Sequence, residues 1–175
     1  MKFLSKAAQA KPEVVWPAIA RRLGMQRKES GTWHLLSWLR GGKSIRQTDK
    51  AGLDAIPASV VFEWVDVDVG DRAWLLAEHC PPIISRPDEP ATSARQMLEC
   101  YGAIEQVRCS LHANNFSEGW SGPACEHYRR KLAALDAHFE VETNDNVRMW
   151  LKEHREQLER SIEREVEREL RESEY

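Results

Sequence analysis

Hardly any stretch of this chain can be a β-strand, and that limits its fold more than any other feature. The β-branched pairs Val14–Val15 and Val60–Val61 sit inside helical spacing, and no alternating apolar and polar run is bounded by hairpin turns. Val65–Asp66–Val67–Asp68–Val69 alternates, but it stops at Gly70 and reads as the turn between two helices. Breakers then divide the chain into short helical segments. Residues 2–9 form a first helix, and Pro12 opens a second that runs to Leu23, with Val15, Ile19 and Leu23 on one stripe and Pro17 kinking it or shifting its start. Thr32 caps a helix over 33–39, stopped by Gly41–Gly42, and residues 40–50 form a loop. Pro57 starts a helix at 57–65, and Asp71 opens the next, which ends before Pro81–Pro82.

Residues 81–91 contain four prolines and form the clearest linker. Ser93 stands three residues before Gln96, a capping-box spacing that opens 93–100. Helices at 103–113, from Pro123 to about 141, and from Asn144 almost to residue 175 follow, with 114–122 as a loop. The fold class is all-α. At 175 residues and 42% hydrophobic content, one domain over 1–175 with a real core is expected, subdivided into basic helices at 1–56 and helix pairs at 57–175.

Three helix starts resemble one another: Asp71–Arg72–Ala73–Trp74, Val107–Arg108–Cys109 and Val147–Arg148–Met149–Trp150, with the arginines 36 and 40 residues apart. An acidic residue precedes each closely. An arginine there can use its fork of donors on the turn carbonyls and on an acid of its own or the next unit. A period of this size marks stacking helix pairs.

The recurring Asp–x–Val–Arg pattern over about residues 57–160 resembles HEAT and HEAT-like α-solenoid repeats. That resemblance implies a short right-handed superhelix of stacked antiparallel helix pairs, ending in a long charged helix. More narrowly, Val107–Arg108 through NNFSEGWSGP (114–123) to NDNVRMWLKEHREQLERSIERE (144–165) resembles the closing region of large bacterial multidomain proteins. Those proteins pair an NTPase or effector module with long helical repeats, and some act in antiphage defence. This chain has no room for the NTPase or effector, so the resemblance implies a C-terminal fragment or a stand-alone relative.

Charge is uneven. Residues 1–50 carry eleven Lys and Arg against three Asp and Glu, whereas 51–100 carry three against nine. The basic third is either complemented within the fold or is a nucleic-acid surface. Mean hydropathy of −0.59 and the lack of an apolar run near ~18 residues exclude a membrane-spanning helix. Only Phe3 and Leu4 follow Lys2 before charge returns, so no signal peptide is expected. Four cysteines without a CxxC suit reduced thiols in the cytoplasm.

Catalytic motifs are missing: there is no GxSxG, GxxxxGK[ST], HExxH or GxGxxG, and Gly41–Gly42–Lys43–Ser44 lacks the upstream glycine and strand of a phosphate loop. Cys109–x2–His112 and Cys125–x–His127 do not match structural-zinc spacing. Neither enzyme chemistry, a metal nor a cofactor is expected. Seven tryptophans point to helix–helix core packing. Phe116 and Trp120, on a glycine-bearing loop, either plug the gap between helix pairs or anchor a partner. Arg40, Lys43 and Arg46 are the basic contact candidates. The expected function is a protein-binding scaffold attached to a larger assembly or effector, with nucleic-acid binding through residues 1–50 as the alternative. In the last helix, Leu158, Ile162, Val166 and Leu170 recur every four residues and drift around a 3.6-residue turn, so only its first half can cap a core.

Overall fold

The structure, a computed structural model, describes residues 2–25, 33–41, 52–116 and 121–173. Among them are nine α-helices, one 3-10 turn and no strand. The helices are α1 (Lys2–Ala10), α2 (Pro12–Met25), α3 (Trp33–Leu39), α4 (Ala58–Asp66) and α5 (Val69–Ala77). They continue with α6 (Ser93–Tyr101), α7 (Glu105–Phe116), α8 (Ala124–Val141) and α9 (Asp145–Ser173). The 3-10 turn, Gly52–Ala55, precedes α4.

Most expected segments appear, with differences at their ends. Helix α2 passes through Pro17 without shifting its start and carries on past Leu23 to Met25. Pro17 is exposed, so the backbone acceptor it leaves without a partner can turn to water. Helix α5 begins at Val69 rather than Asp71, because the Asp68 carboxylate accepts the Asp71 N–H and acts as its cap. Helix α6 is capped by Thr92, one residue before the expected Ser93: the Thr92 hydroxyl accepts from Arg95 N–H. Ser93 has another task, since its N–H and hydroxyl both donate to Asp54 at 2.7 Å and tie α6 to the 3-10 turn. Helix α7 extends to Phe116, into the expected loop.

The proline-rich segment is an anchored strap. Ser85 N–H donates to the Thr92 hydroxyl, Thr92 N–H donates to the Ser85 hydroxyl, and the Thr92 hydroxyl donates to Ile83 C=O. Pro81 and Ser85 are buried. Gly52 lies in the left-handed region at φ +64, and a Cβ there would sit 2.2 Å from Leu39 C=O. Only glycine lets the chain after α3 press this closely on its end.

One continuous apolar core joins Ala8 of α1 to Leu158 of α9. Helices α8 and α9 form the most extensive antiparallel pair, α5 packs on α7, and α6 packs on α9. Polar ties link non-adjacent helices. Tyr101 O–H donates to Asp66 at 2.7 Å, joining α6 to α4. The Asn114 amide donates to Ala77 and Cys80 carbonyls, closing the end of α5.

Candidate functional site: an aromatic groove and a tied helical end

The three recurrent arginines occupy equivalent places. Arg72 Nη1 donates to Trp64 C=O at 2.9 Å and its guanidinium lies 4.9 Å from the Trp64 ring centroid. Arg108 Nη1 donates to Gly102 C=O at 2.7 Å and to Ala103 C=O, while its Nε reaches Glu153 of α9. Arg148 Nη1 donates to Glu142 C=O at 2.8 Å and to Phe139 C=O, with its guanidinium 4.2 Å over the Phe139 ring. Each arginine leaves the first turn of one helix and satisfies carbonyls at the end of the helix before it. Val107 and Val147 are fully buried beside them, whereas Asp71 is exposed.

Of the contact candidates, Arg40 lies at the end of α3, where Nε and Nη2 both donate to Glu78 C=O at 3.1 and 2.8 Å. Its side chain is therefore engaged in holding α3 to α5. Phe116 turns inward, half-buried, against His154 at 5.0 Å and Tyr128 at 6.4 Å between ring centroids. Lys43, Arg46 and Trp120 lie outside the described residues. The structure thus brings none of these five into one described surface.

A broad concavity was not signalled by any motif. It is an open groove of about 1010 Å³ between α2 on one side and α4 and α5 on the other. Trp16 is buried at its base and meets Trp64 edge to face at 5.6 Å. Trp64 and Trp74 are half-buried on the opposite wall, beside Val60 and Leu75. Carboxylates stand on both sides: Glu13 on α2, and Glu63, Asp68, Asp71 and Glu78 on the α4–α5 side. Two cations, Arg21 and Arg72, also line it, and Arg72 is already held by Trp64. The sequence signal was the tryptophan count, which locates no groove until α2 and α4 are known to be neighbours.

At the other end, the interface of α6, α7, α8 and α9 is polar and densely bonded, with a second open concavity of about 520 Å³ beside Phe116, Tyr128, Gln157 and Arg164. Arg95 of α6 forms a two-point bond with Glu142, Nη1 to Oε2 at 2.6 Å and Nη2 to Oε1 at 3.1 Å, with the Glu142 side chain wholly buried. Arg95 also bonds Ser85 C=O and Glu99, and Glu142 accepts from Thr143 and Asn144 N–H groups as well. His138 Nε2 lies 3.1 Å from Glu142 Oε2. Burial alone would raise the Glu142 pKa, but the bonds from Arg95, Asn144 and His138 outweigh it and hold the carboxyl at about 2.

Nearby, His112 of α7 and Trp150 and His154 of α9 bring three rings together, nearly parallel, with centroids 4.7 to 5.2 Å apart. His112 Nε2 faces Glu153 at 3.2 Å, the two Nδ1 atoms are 3.2 Å apart, and His154 Nε2 faces the Asn115 Oδ1. The Asn115 orientation is set by its Nδ2, which donates to Pro82 C=O, and its Oδ1 accepts from Lys131. A proton shared between the Nδ1 atoms, with N–H at each Nε2, would match every partner. Burial opposes that extra charge: it lowers the His112 pKa and holds His154 at about 3, with His112 and Lys131 adding to the effect at His154. Desolvating an imidazolium costs more than one mismatched bond, so the pair is neutral at pH 7.

Among the described residues no His, Cys, Asp and Glu cluster could hold a metal ion, and none of their helices is long and apolar enough to cross a membrane. Cys80, Cys100, Cys109 and Cys125 are all free thiols. No protein-family model, curated protein or solved structure matches this chain.

Proposed function

We propose that this chain is a non-enzymatic protein-interaction module, built as a short HEAT-like superhelix of stacked helix pairs, that scaffolds a larger assembly. The α2/α4–α5 groove carries the reading: it is open, exposes half-buried tryptophan faces, and is bordered by carboxylates on both walls. Half-buried aromatic rings in a concave surface are the usual anchors of protein recognition, because they bury much area with few torsions to freeze. Stacked helix pairs also suit the use, since they present long surfaces to partners. The bacterial, cytoplasmic, defence-type setting of the resembling proteins belongs to the same proposal.

The test is a tagged pull-down from the native host, with and without nuclease, read by mass spectrometry. A stoichiometric protein partner that survives nuclease supports the module. Recovery of nucleic acid alone, lost when Arg40, Lys43 and Arg46 are changed to Glu, overturns it in favour of a nucleic-acid module.

A further inference from the structure

The groove's lining specifies more than "a protein". Its base and walls are apolar and aromatic at Trp16, Trp64, Trp74 and Leu75, and its charge is mainly negative. Glu13 faces the groove from α2, while Glu63, Asp71 and Glu78 face it from the other wall. Among the described residues neither the Glu13 nor the Glu63 carboxylate has a hydrogen-bond or ion-pair partner, and both residues are exposed. Trp64 already shows what its face attracts: the guanidinium of Arg72 stands over it.

An occupant therefore needs an apolar stripe with cations toward the acidic α4–α5 wall and a further cation opposite Glu13, since Arg21 shares the α2 wall with it. Both walls are helices, whose backbone groups are hydrogen-bonded internally, so they offer no ladder to an extended chain. A helix brings its own backbone bonds and can lay residues at i, i+3, i+4 and i+7 along the base. Accepting the groove as a protein-docking surface, we infer that it takes a cationic amphipathic helix of a partner protein. The apolar stripe seats on Trp64, Trp74 and Leu75, which Trp16 backs from below, and flanking Lys or Arg side chains meet Glu13 on one side and Glu63 and Asp71 on the other.

The probe is a Leu–Lys model peptide of about 15 residues with leucines at helical spacing, long enough to hold a helix once docked. Binding is read by calorimetry and by tryptophan fluorescence. The comparison peptides are its Leu–Glu counterpart and a proline-rich arginine peptide. Glu13→Lys/Glu63→Lys is the groove variant, and Glu163→Lys/Glu169→Lys, at two exposed positions of α9 outside the groove lining, is the charge control. The expected result is at least a tenfold loss of Leu–Lys affinity in the groove variant and none in the control, with Leu–Glu at least tenfold weaker throughout.

Equal binding by both variants overturns the proposal, because the attraction is then general charge. So does tighter binding of the proline-rich peptide, absence of peptide binding, or a self-associated chain that dissociates on Glu13→Lys/Glu63→Lys. Repeating the pull-down with the groove variant separates this inference from the reading it rests on. A protein partner that the variant retains overturns the helix site alone, whereas the lack of any protein partner for the unaltered chain overturns the module.

Discussion

Between α2 and the α4–α5 pair, the apolar wall ends at three tryptophans and an open groove, whereas α6, α7, α8 and α9 are tied to one another by paired charges and stacked rings. Both ends are made of helices of similar kind. The first has one arginine on a carbonyl and a ring, with carboxylates lining the groove on both walls. In the second, Arg95, Glu142, Arg108, Glu153 and the histidines bond across helices distant in sequence. The contrast shows where aromatic surface has been left open and where polar side chains have been committed to fixing helices in register.

Breaking the tied end should produce the largest effect. Glu142→Ala leaves the Arg95 charge buried without its main partner, a change expected to cost about 3–5 kcal/mol. The double variant Arg95→Met/Glu142→Leu should lose clearly less, since no uncompensated charge remains. Urea titration at pH 7 measures both. Equal losses in the single and double variants would show that the pair's net contribution, rather than an orphaned charge, dominates.

Those long-range pairs were also the part that the sequence hid. Helix positions follow from Pro12, Pro57, Pro123 and Asn144, which act within a turn of where they stand, and the arginine starts could be read because their carbonyls lie five to nine residues back. Arg95 and Glu142 are 47 residues apart, and His112 and His154 are 42 apart, so no local pattern marks either pair. The strap at 81–91 looked like a linker because its four prolines predict irregular backbone, which says nothing of what Ser85 and Thr92 will bond. The cap at Thr92 instead of Ser93 has the same origin: Asp54, far along the chain, takes both Ser93 donors.

Acid sharpens the comparison next. His154 sits at about 3 and His112 below its usual value in the folded chain, against 6.5 for an unperturbed imidazole. Below pH 6.5 the unfolded chain takes up protons that the folded one refuses, so stability is fully present above that pH and falls as pH drops toward 3. Each such histidine contributes a slope of about 1.4 kcal/mol per pH unit within its window. His79, at about 4 through burial and the nearby Arg40 charge, adds a smaller share at the groove end. Urea midpoints between pH 7 and 4.5 should fall steeply, and His154→Gln should remove about one proton from the slope. An unchanged slope in that variant would mean that His154 is protonated in both states.

A smaller effect distinguishes the recurrent arginines from one another. Arg108→Met strips donors from Gly102 and Ala103 carbonyls and a charge partner from the half-buried Glu153, for a loss of about 2 kcal/mol. Arg72→Met loses one carbonyl bond and a ring contact, for about 1 kcal/mol. The order matters more than the values. Were Arg72 the costlier loss, the groove end would depend on this one arginine more than the tied end depends on Arg108.

The smallest effect belongs to the tip of α9. With 18 residues in α8 and 29 in α9, the antiparallel partner ends well before its neighbour does, by roughly 16 Å at 1.5 Å per residue. Burial follows that overhang along the four-residue row: Leu158 is 0% exposed, Ile162 and Val166 are half-buried, and Leu170 is 61% exposed. The row also turns about 40° per step, so Leu170 would face away from the core even if α8 were longer. Beyond Glu167 the ion pairs among the described residues run along α9 itself, Arg168 with the half-buried Glu165 and Arg171 with Glu167, and such pairs are worth a few tenths of a kcal/mol each. Truncation after Glu167 should therefore change stability by less than about 0.5 kcal/mol, measured by urea titration, and leave Leu–Lys peptide binding unaltered. A loss above about 1 kcal/mol would place the tip among the tied elements, and weaker peptide binding would extend the docking surface along α9.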